Sequence, residues 1–374
     1  MAVAPPIVIG LYMLPWHSYI RDVLLGVREA AAGRGWELYL PWVGTGNWPE
    51  PKDLGVAGII AGFDLLNATQ LRQLEDVPHV TVGSSLKRVD RIDVTWDHAA
   101  IGRMAAEHLL DQGHRNLATW FAPHRDYQRA RAAGFCRQAR EAGCRVTVVH
   151  DPTSEAESER ITLFDKLPEP CGLFCPSDRL GHDVLHLARR IGVVVPDRLA
   201  LVSTGNEEDY CELTAPPMSS VALPGTRAGR TAVELLAERM EQSGGRRDVS
   251  IALPPRFVAA RRSSDPLRLG DREVMRALDL IRRLAPTGLT AEDVHRQSSL
   301  SRRGLESRFV KAVGRPIGKQ IQRVRLTLAR DLLATTNLPV AEVARRCGFK
   351  TAQGFSNAFS QSHGQSPGVY RAER

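Results

Sequence analysis

For its first 260 residues the chain alternates short apolar runs with longer stretches whose apolar residues recur every three or four positions. Residues 7–14 read as a strand, and Ile20, Val23, Leu24, Val27 and Ala31 then fall at helix spacing. Strand-like runs follow at 36–42, 56–61 and 79–82, with helical stretches at 65–74 and 97–110. Further on, 117–121, 146–150, 172–175 and 199–203 read as strands, and 129–142, 183–191 and 228–240 as helices. Strands alternating with helices of this length imply βαβ units and parallel sheets. The Val/Ile/Leu-rich runs fit strands covered on both faces. The units are too many for one doubly wound sheet, so two lobes are expected. Ligands bind such sheets at the carboxyl ends of the strands, which two lobes turn toward a cleft.

The alternation stops at RRSSDPLRLGD, residues 261–271, and everything beyond reads as helix. The expected domains are therefore 1–264 and 265–374. Charge divides at the same place. Residues 271–374 hold 19 basic and 9 acidic side chains, a net +10, whereas the other 270 residues hold 31 and 33, a net −2. A small basic module behind a near-neutral body points to a polyanion partner. With 43% hydrophobic and 25% charged residues, the chain is neither disordered nor fibrous. No apolar stretch approaches the roughly 18 residues of a membrane helix, and the start lacks the basic region of a secretory signal. Membrane attachment and export are not expected. Six cysteines in 374 residues are too sparse for a disulfide scaffold. Cys171 and Cys175 have no partner pair at metal-ligand spacing, so neither a metal nor a cofactor is expected.

Two similar segments lie 50 residues apart in the basic module, LTAEDVHRQSSLSRRGLESRFVKAVGRP and LPVAEVARRCGFKTAQGFSNAFSQSHGQSP. In the first, Thr290 and Asp293 have capping-box spacing and Ser301 is a second N-cap. Leu305 and Phe309 point inward, and Gly314 with Pro316 ends the helix. In the second, Val340, Val343 and Ala344 form one face, Gly348 makes the turn, and Phe355 and Phe359 repeat the inward pair. Both read as helix-turn-helix units. A continuous helix over 317–333, roughly 26 Å at 1.5 Å per residue, joins them. With the offset of the units, the reading helices fall near one DNA turn, about 34 Å. One protomer then reaches two successive major grooves.

With Leu305 and Phe309 inward, the first reading helix turns Arg302, Arg303, Glu306 and Ser307 outward. Arginine grips guanine at two points and glutamate accepts from cytosine N4. The second helix turns Ala352, Gln353, Ser356 and Asn357 outward, a face suited to adenine edges and a thymine methyl. Lys319, Arg323, Arg345, Arg346 and Lys350 are candidate phosphate contacts. In the front body, polar and aromatic residues cluster where strands end: Trp16, His17 and Tyr19; Ser84 and Ser85; Asp97; Ser177 and Asp178; Asn206 and Glu207. Planar hydrogen-bonding groups beside aromatic rings suit a sugar, which offers hydroxyls around a CH-rich plane. Asp97 and Asp178 also suit N-caps.

SRRGLESRF, RDLLATTNLPVAEVARRCGF and FSNAFSQSHGQSPGVYR resemble the DNA-binding domain of AraC/XylS-type regulators. The front 265 residues resemble the periplasmic-binding-protein-like sensor of the LacI superfamily, without its N-terminal headpiece. That order of domains is similar to the xylose-operon regulator family. The resemblance implies a two-lobed α/β periplasmic-binding-protein-like (type I) sensor followed by an all-α domain with two helix-turn-helix motifs. It further implies a cytoplasmic activator-type transcription factor, a small sugar such as a pentose between the lobes, double-stranded operator DNA, RNA polymerase and a homodimer. It places a ligand-binding arginine at Arg131, three residues before Gly134, and likens Tyr19 and Arg21 to a Y-x-R element. It also exposes a departure: LacI-like sensors often carry an acceptor aspartate where this chain has Gly205.

Two other classes compete. One is a carbohydrate-active enzyme, for which no GxSxG, P-loop or well-formed GxGxxG exists; GTGNW after Val43 is too short a match. The other is a sugar-binding transport receptor with a basic helical tail.

Overall fold

The computed structural model describes residues 7–13, 18–41, 51–62, 77–83, 92–152, 157–241, 249–265 and 271–372. The strands are β1 (Val8–Tyr12), β2 (Glu37–Tyr39), β3 (Gly58–Gly62), β4 (His79–Val82), β5 (Ile92–Trp96), β6 (Asn116–Phe121), β7 (Arg145–His150), β8 (Cys171–Phe174), β9 (Leu199–Gly205), β10 (Ser219–Ala222), β11 (Val249–Leu253) and β12 (Val258–Ala259). They form two six-stranded sheets, ordered β11-β5-β4-β3-β1-β2 and β12-β10-β9-β8-β6-β7. Among the described residues all pairings are parallel except β10 with β12. The principal helices packed on these sheets are α1 (Ser18–Ala32), α2 (His98–Asp111), α3 (Asp126–Glu141), α4 (Asp178–Arg190) and α5 (Gly225–Glu241).

Each sheet belongs to one lobe, and the chain crosses between them three times: at Asp97, after β10, and after β11. The crossings are tied to one another, since Asp97 N–H donates to Leu253 O at 2.8 Å and Ala222 N–H to Phe257 O at 2.8 Å. Helix pairs α1/α5 and α2/α3 pack at close range because glycines stand at the contact. A Cβ on Gly229 would meet the backbone of Val27 at 2.7 Å, and one on Gly134 the Cα of Ala99 at 2.8 Å. The two lobes anticipated from the alternation are present. The expected helix over 65–74 and the GTGNW stretch lie outside the described residues, and the strand expected over 36–42 shortens to Glu37–Tyr39. Strands β10, β11 and β12 were not anticipated.

The C-terminal part is helical: α6 (Arg272–Leu284), α7 (Ala291–Arg296), α8 (Arg302–Val313), α9 (Ile317–Thr335), α10 (Val340–Arg346), α11 (Ala352–His363) and α12 (Pro367–Ala372). Thr290 caps α7 in a reciprocal capping box with Asp293. Ser301 caps α8 by accepting from Gly304 N–H, and Thr351 caps α11 by accepting from Gly354 N–H. Both reading helices end on left-handed glycines, Gly314 (φ 79°) and Gly364 (φ 74°), a conformation glycine adopts without a Cβ clash. The two units thus share one plan. Helix α9 serves both cores, giving Ile317 and Ile321 to the first and Leu326, Ala329 and Leu333 to the second. Arg325 fixes it further, donating from Nε to Ala285 O and from Nη2 to Leu289 O, each at 2.8 Å.

Candidate functional site

At the carboxyl edge of the sensor strands, Arg131 is 5% exposed and reaches across from α3. Its Nη1 donates to Pro176 O at 2.7 Å, its Nε lies 3.3 Å from His98 Nδ1, and its guanidinium rides 5.0 Å from the Tyr127 ring centre. Arginine has only donors, so His98 Nδ1 accepts and the proton of the neutral ring sits on Nε2. Burial, with help from the Arg131 charge, pushes His98 down to about 3, which keeps the ring neutral. His98 Nε2 is buried and has no partner among the described residues. A buried donor without an acceptor costs free energy until something supplies one. His98 was missed in the sequence. Its signal was a histidine directly after the strand-ending Asp97.

Asp97 caps α2, accepting from Ala100 N–H at 2.8 Å. The cap of α4 is Ser177, which accepts from Leu180 N–H, so the N-cap reading of Asp178 is corrected. Asp178 is buried, and its carboxylate accepts from Ser220 Oγ at 2.6 Å, Glu207 N–H at 2.7 Å and Ser203 Oγ. Burial pushes its carboxyl up while these donors pull it back. It also explains Gly205, whose φ is +136° and whose Cβ would lie 2.6 Å from Asp178 Oδ2. Position 205 has no room for a side chain because the carboxylate arrives from α4 instead. Asn206, held at φ 55°, donates from its N–H to Ser220 Oγ, and its Oδ1 accepts from Arg261 Nη1 at 3.0 Å. Glu207 precedes the short helix Glu208–Glu212 and is half-buried. Tyr19 meets Trp96 edge-on at 6.3 Å. Trp16, His17, Ser84 and Ser85 lie outside the described residues.

On the reading helices, Arg303, Ser307, Ala352, Gln353 and Asn357 are exposed and Ser356 is half-buried. Arg302 is exposed and lies 3.3 Å from Glu292. Gln353 Nε2 donates to Asn357 Oδ1 at 2.9 Å, which pre-sets two amides one helical turn apart. Lys319 and Lys350 are exposed. Arg345 and Arg346 are exposed too but lie against Glu342 at 2.6 and 2.8 Å, and these guanidiniums hold its carboxyl down at about 2. Two expectations need correction. Glu306 is half-buried rather than outward, pairing with His295 Nε2 at 3.1 Å and accepting from Ile317 N–H at 3.4 Å, so its carboxylate is engaged within the unit. Arg323, expected as a phosphate contact, instead bonds Asp111 at the end of α2.

Asp111 is the centre of a junction between the two domains. Arg315 reaches it at 2.6 Å, and Gln320 Nε2 approaches its carbonyl oxygen at 3.5 Å. Tyr370 OH donates to Arg256 O at 2.9 Å on another edge. Replacing Asp111 with Asn removes the charge that holds Arg315 and Arg323. About 2 kcal/mol of docking is expected to go with it, read as a thermal unfolding transition that splits in two and as faster limited proteolysis into two fragments. An unsplit transition with unchanged proteolysis would show that the pairs do not couple the domains.

No helix among the described residues is long and apolar enough to cross a membrane. The pattern of the periplasmic binding protein-like domain matches residues 106–264, and that of a helix-turn-helix domain matches 275–373. The xylose operon regulatory protein of Escherichia coli K12 is 27% identical over 369 residues, spanning 95% of this chain and 94% of that protein. Its counterpart in Haemophilus influenzae is 25% identical over 94% of this chain and 95% of its own length. Among solved structures, the xylose-binding transcription activator XylR aligns at a TM-score of 0.60 with 26% identity, over 99% of this chain and 98% of that one. A LacI family regulator from Enterococcus faecium with bound ribose shares the fold at a TM-score of 0.56 and 18% identity, over 70% of this chain and all of that one.

Proposed function

We infer that the chain is a sequence-specific DNA-binding transcription factor controlled by a small sugar, because a periplasmic binding protein-like domain precedes a helix-turn-helix domain and the similarity to xylose operon regulatory proteins runs over nearly the whole length. The sugar binds between the lobes, with a pentose such as xylose the first choice, and the protein acts in the cytoplasm as a homodimer that meets RNA polymerase at the promoter. It turns over no substrate. The observation that carries the sensor reading is the Arg131–His98 pair. A fixed guanidinium and an imidazole Nε2–H without an acceptor make a hydroxyl-binding corner at the strand ends. A sugar hydroxyl accepts from Nε2 and relieves the unpaired donor. Closure around it favours one lobe arrangement, and differential affinity then shifts the pairing of DNA modules.

The test joins two measurements on the full chain. A thermal-shift screen across pentoses, hexoses and polyols is expected to find a ligand that raises the melting temperature, as mass action requires. A gel shift on the operator is then expected to change with that ligand present. No response to any small carbohydrate would count against the sensor reading, and turnover of one would favour the enzyme.

Arg303 gives a sharper test of the DNA face. It is exposed on the first turn of α8 and no ion pair holds it among the described residues. A bidentate arginine–guanine pair is worth about 1–3 kcal/mol of discrimination. Arg303→Ala is therefore expected to weaken operator binding about 10–100-fold while binding to random duplex falls less than about 3-fold. Equal losses on both duplexes would make Arg303 a phosphate contact.

A further inference from the structure

Helix α2 is a run of 14 residues, His98–Asp111, about 20 Å long at 1.5 Å per residue. Its two ends have different neighbours. At the amino end His98 supplies half of the donor corner, with Nδ1 held by Arg131 and Nε2 buried without a partner among the described residues. At the carboxyl end Asp111 takes Arg315 at 2.6 Å and Arg323, and its carbonyl oxygen lies 3.5 Å from Gln320 Nε2. Those three residues belong to the corner where the first reading helix, α8, gives way to α9. Just past α2, Arg115 packs against Gly314, the residue that ends α8. One helix thus meets the donor corner with its first residue and the first helix-turn-helix unit with its last.

Further contacts make α2 a stiff connection. Gly102 lies against the Arg131 carbonyl oxygen and Gly134 against Ala99, so α2 and α3 pack backbone to backbone. Both halves of the corner, His98 on α2 and Arg131 on α3, therefore move as one block with Asp111. Close-packed interiors pass on a displacement rather than absorb it. One turn before the end of α2, His108 Nε2 lies 2.7 Å from Ser264 Oγ. Ser264 is 2% exposed and donates to Ser219 Oγ at 2.7 Å, so the chain leading to the DNA-binding domain is anchored to the same helix.

We propose that α2 is the coupling element between the two domains: a sugar hydroxyl drawn onto His98 shifts the α2–α3 block, and Asp111 carries the shift to Arg315 and Arg323 at the α8–α9 corner. This rests on the cleft reading above and adds the route by which the cleft governs DNA binding. Another edge of the junction lies off that route, since the Tyr370 hydrogen bond to Arg256 O joins α12 to the β11–β12 crossing. Coupling between two sites is reciprocal, so loosening the far end of α2 changes sugar affinity at the near end.

The experiment is calorimetric titration of the full chain with D-xylose, and with every sugar that raises the melting temperature in the screen. The proteins are the native chain, Asp111→Asn, Arg323→Gln and Tyr370→Phe. Asp111→Asn and Arg323→Gln are expected to change the sugar dissociation constant at least about 5-fold, and Tyr370→Phe less than about 2-fold. In gel shifts the sugar is expected to alter DNA binding by the native chain and Tyr370→Phe, and no longer by the other two. Circular dichroism reads whether each variant is folded. Arg323→Gln alters a half-buried side chain on α9 and tests the same link should Asp111→Asn not fold. An unchanged dissociation constant in the folded junction variants overturns the proposal. So does an equal change in Tyr370→Phe, because docking at large rather than α2 then carries the effect. A native chain that binds none of the sugars fails the cleft reading itself, and the coupling falls with it.

Discussion

Gly102→Ala is expected to destabilise the sensor by about 3 kcal/mol, at the upper end for overpacking, although it adds a single methyl group. Gly102 sits in the middle of α2 where α3 crosses. A Cβ there would fall inside the contact radius of the Arg131 carbonyl oxygen and within 2.5 Å of Phe135 N. Both opposing groups are backbone, so no rotamer change relieves the clash and the helices must part. Gly134 faces Ala99 in the reciprocal way, so the two helices are locked glycine against backbone. The cost reaches function because the atom struck belongs to Arg131: displacing α3 moves the guanidinium off Pro176 O and His98. Gly318→Ala supplies the contrast. It lies in α9 with nothing within 4 Å of the added Cβ, and it is expected to be neutral or stabilising by about 0.5 kcal/mol through helix propensity. Urea unfolding of the three proteins decides the matter; a Gly102→Ala midpoint equal to that of the native chain would show that α2 and α3 are free to separate.

What the sequence made legible was what local chemistry dictates. Strand–helix alternation announced two parallel sheets. Ser301 with Leu305 and Phe309, repeated at Thr351 with Phe355 and Phe359, announced two matched helical units, because caps and inward pairs are set within a dozen residues. The failures share a different cause, which is contact between distant parts of the chain. Strand β10, SSVA, comes just after two prolines and was not anticipated, yet Ser219 and Ser220 are wholly buried, Ser219 Oγ accepting from Arg261 N–H and Ser220 Oγ donating to Asp178. Arg323 looked like a solvated cation on a DNA-binding module, and its partner Asp111 stands 212 positions earlier. Glu306 looked outward on a helical wheel, but His295 in the preceding helix draws it in. Gly205 looked like a lost carboxylate until Asp178 was found beside it. For the cleft, periodicity marked the strand ends but gave no reason to prefer His98.

Acidification from pH 7 to pH 5 is expected to cost the fold about 4 kcal/mol through two histidines alone. His108 and His114 are each held neutral by burial, which pushes their pKa values down to about 3 and about 4. In the unfolded chain both titrate near 6.5. Between these values the unfolded state binds protons that the folded state refuses, so stability falls as pH drops through about 6.5. At 1.36 kcal/mol per unit, each histidine contributes about 2 kcal/mol at pH 5. His98 and His363, pushed down to about 3 and about 4, act in the same direction. The buried carboxyls of Asp111 and Asp178 are pushed up and act in the opposite one, gaining protons in the fold as pH falls further. The histidines dominate first because their unfolded pKa lies highest. His108 Nε2 sits 2.7 Å from Ser264 Oγ, and the charges of Arg330 and Arg323 in α9 lower it further after burial. Acid therefore loads the junction between sensor and DNA-binding domain. Urea unfolding at pH 7 and pH 5 measures the loss, and His114→Gln, which cannot take the proton, is expected to recover about 2 kcal/mol of it. Equal stability at the two pH values, or no recovery in a folded His114→Gln, would mean that these rings accept protons in the native state.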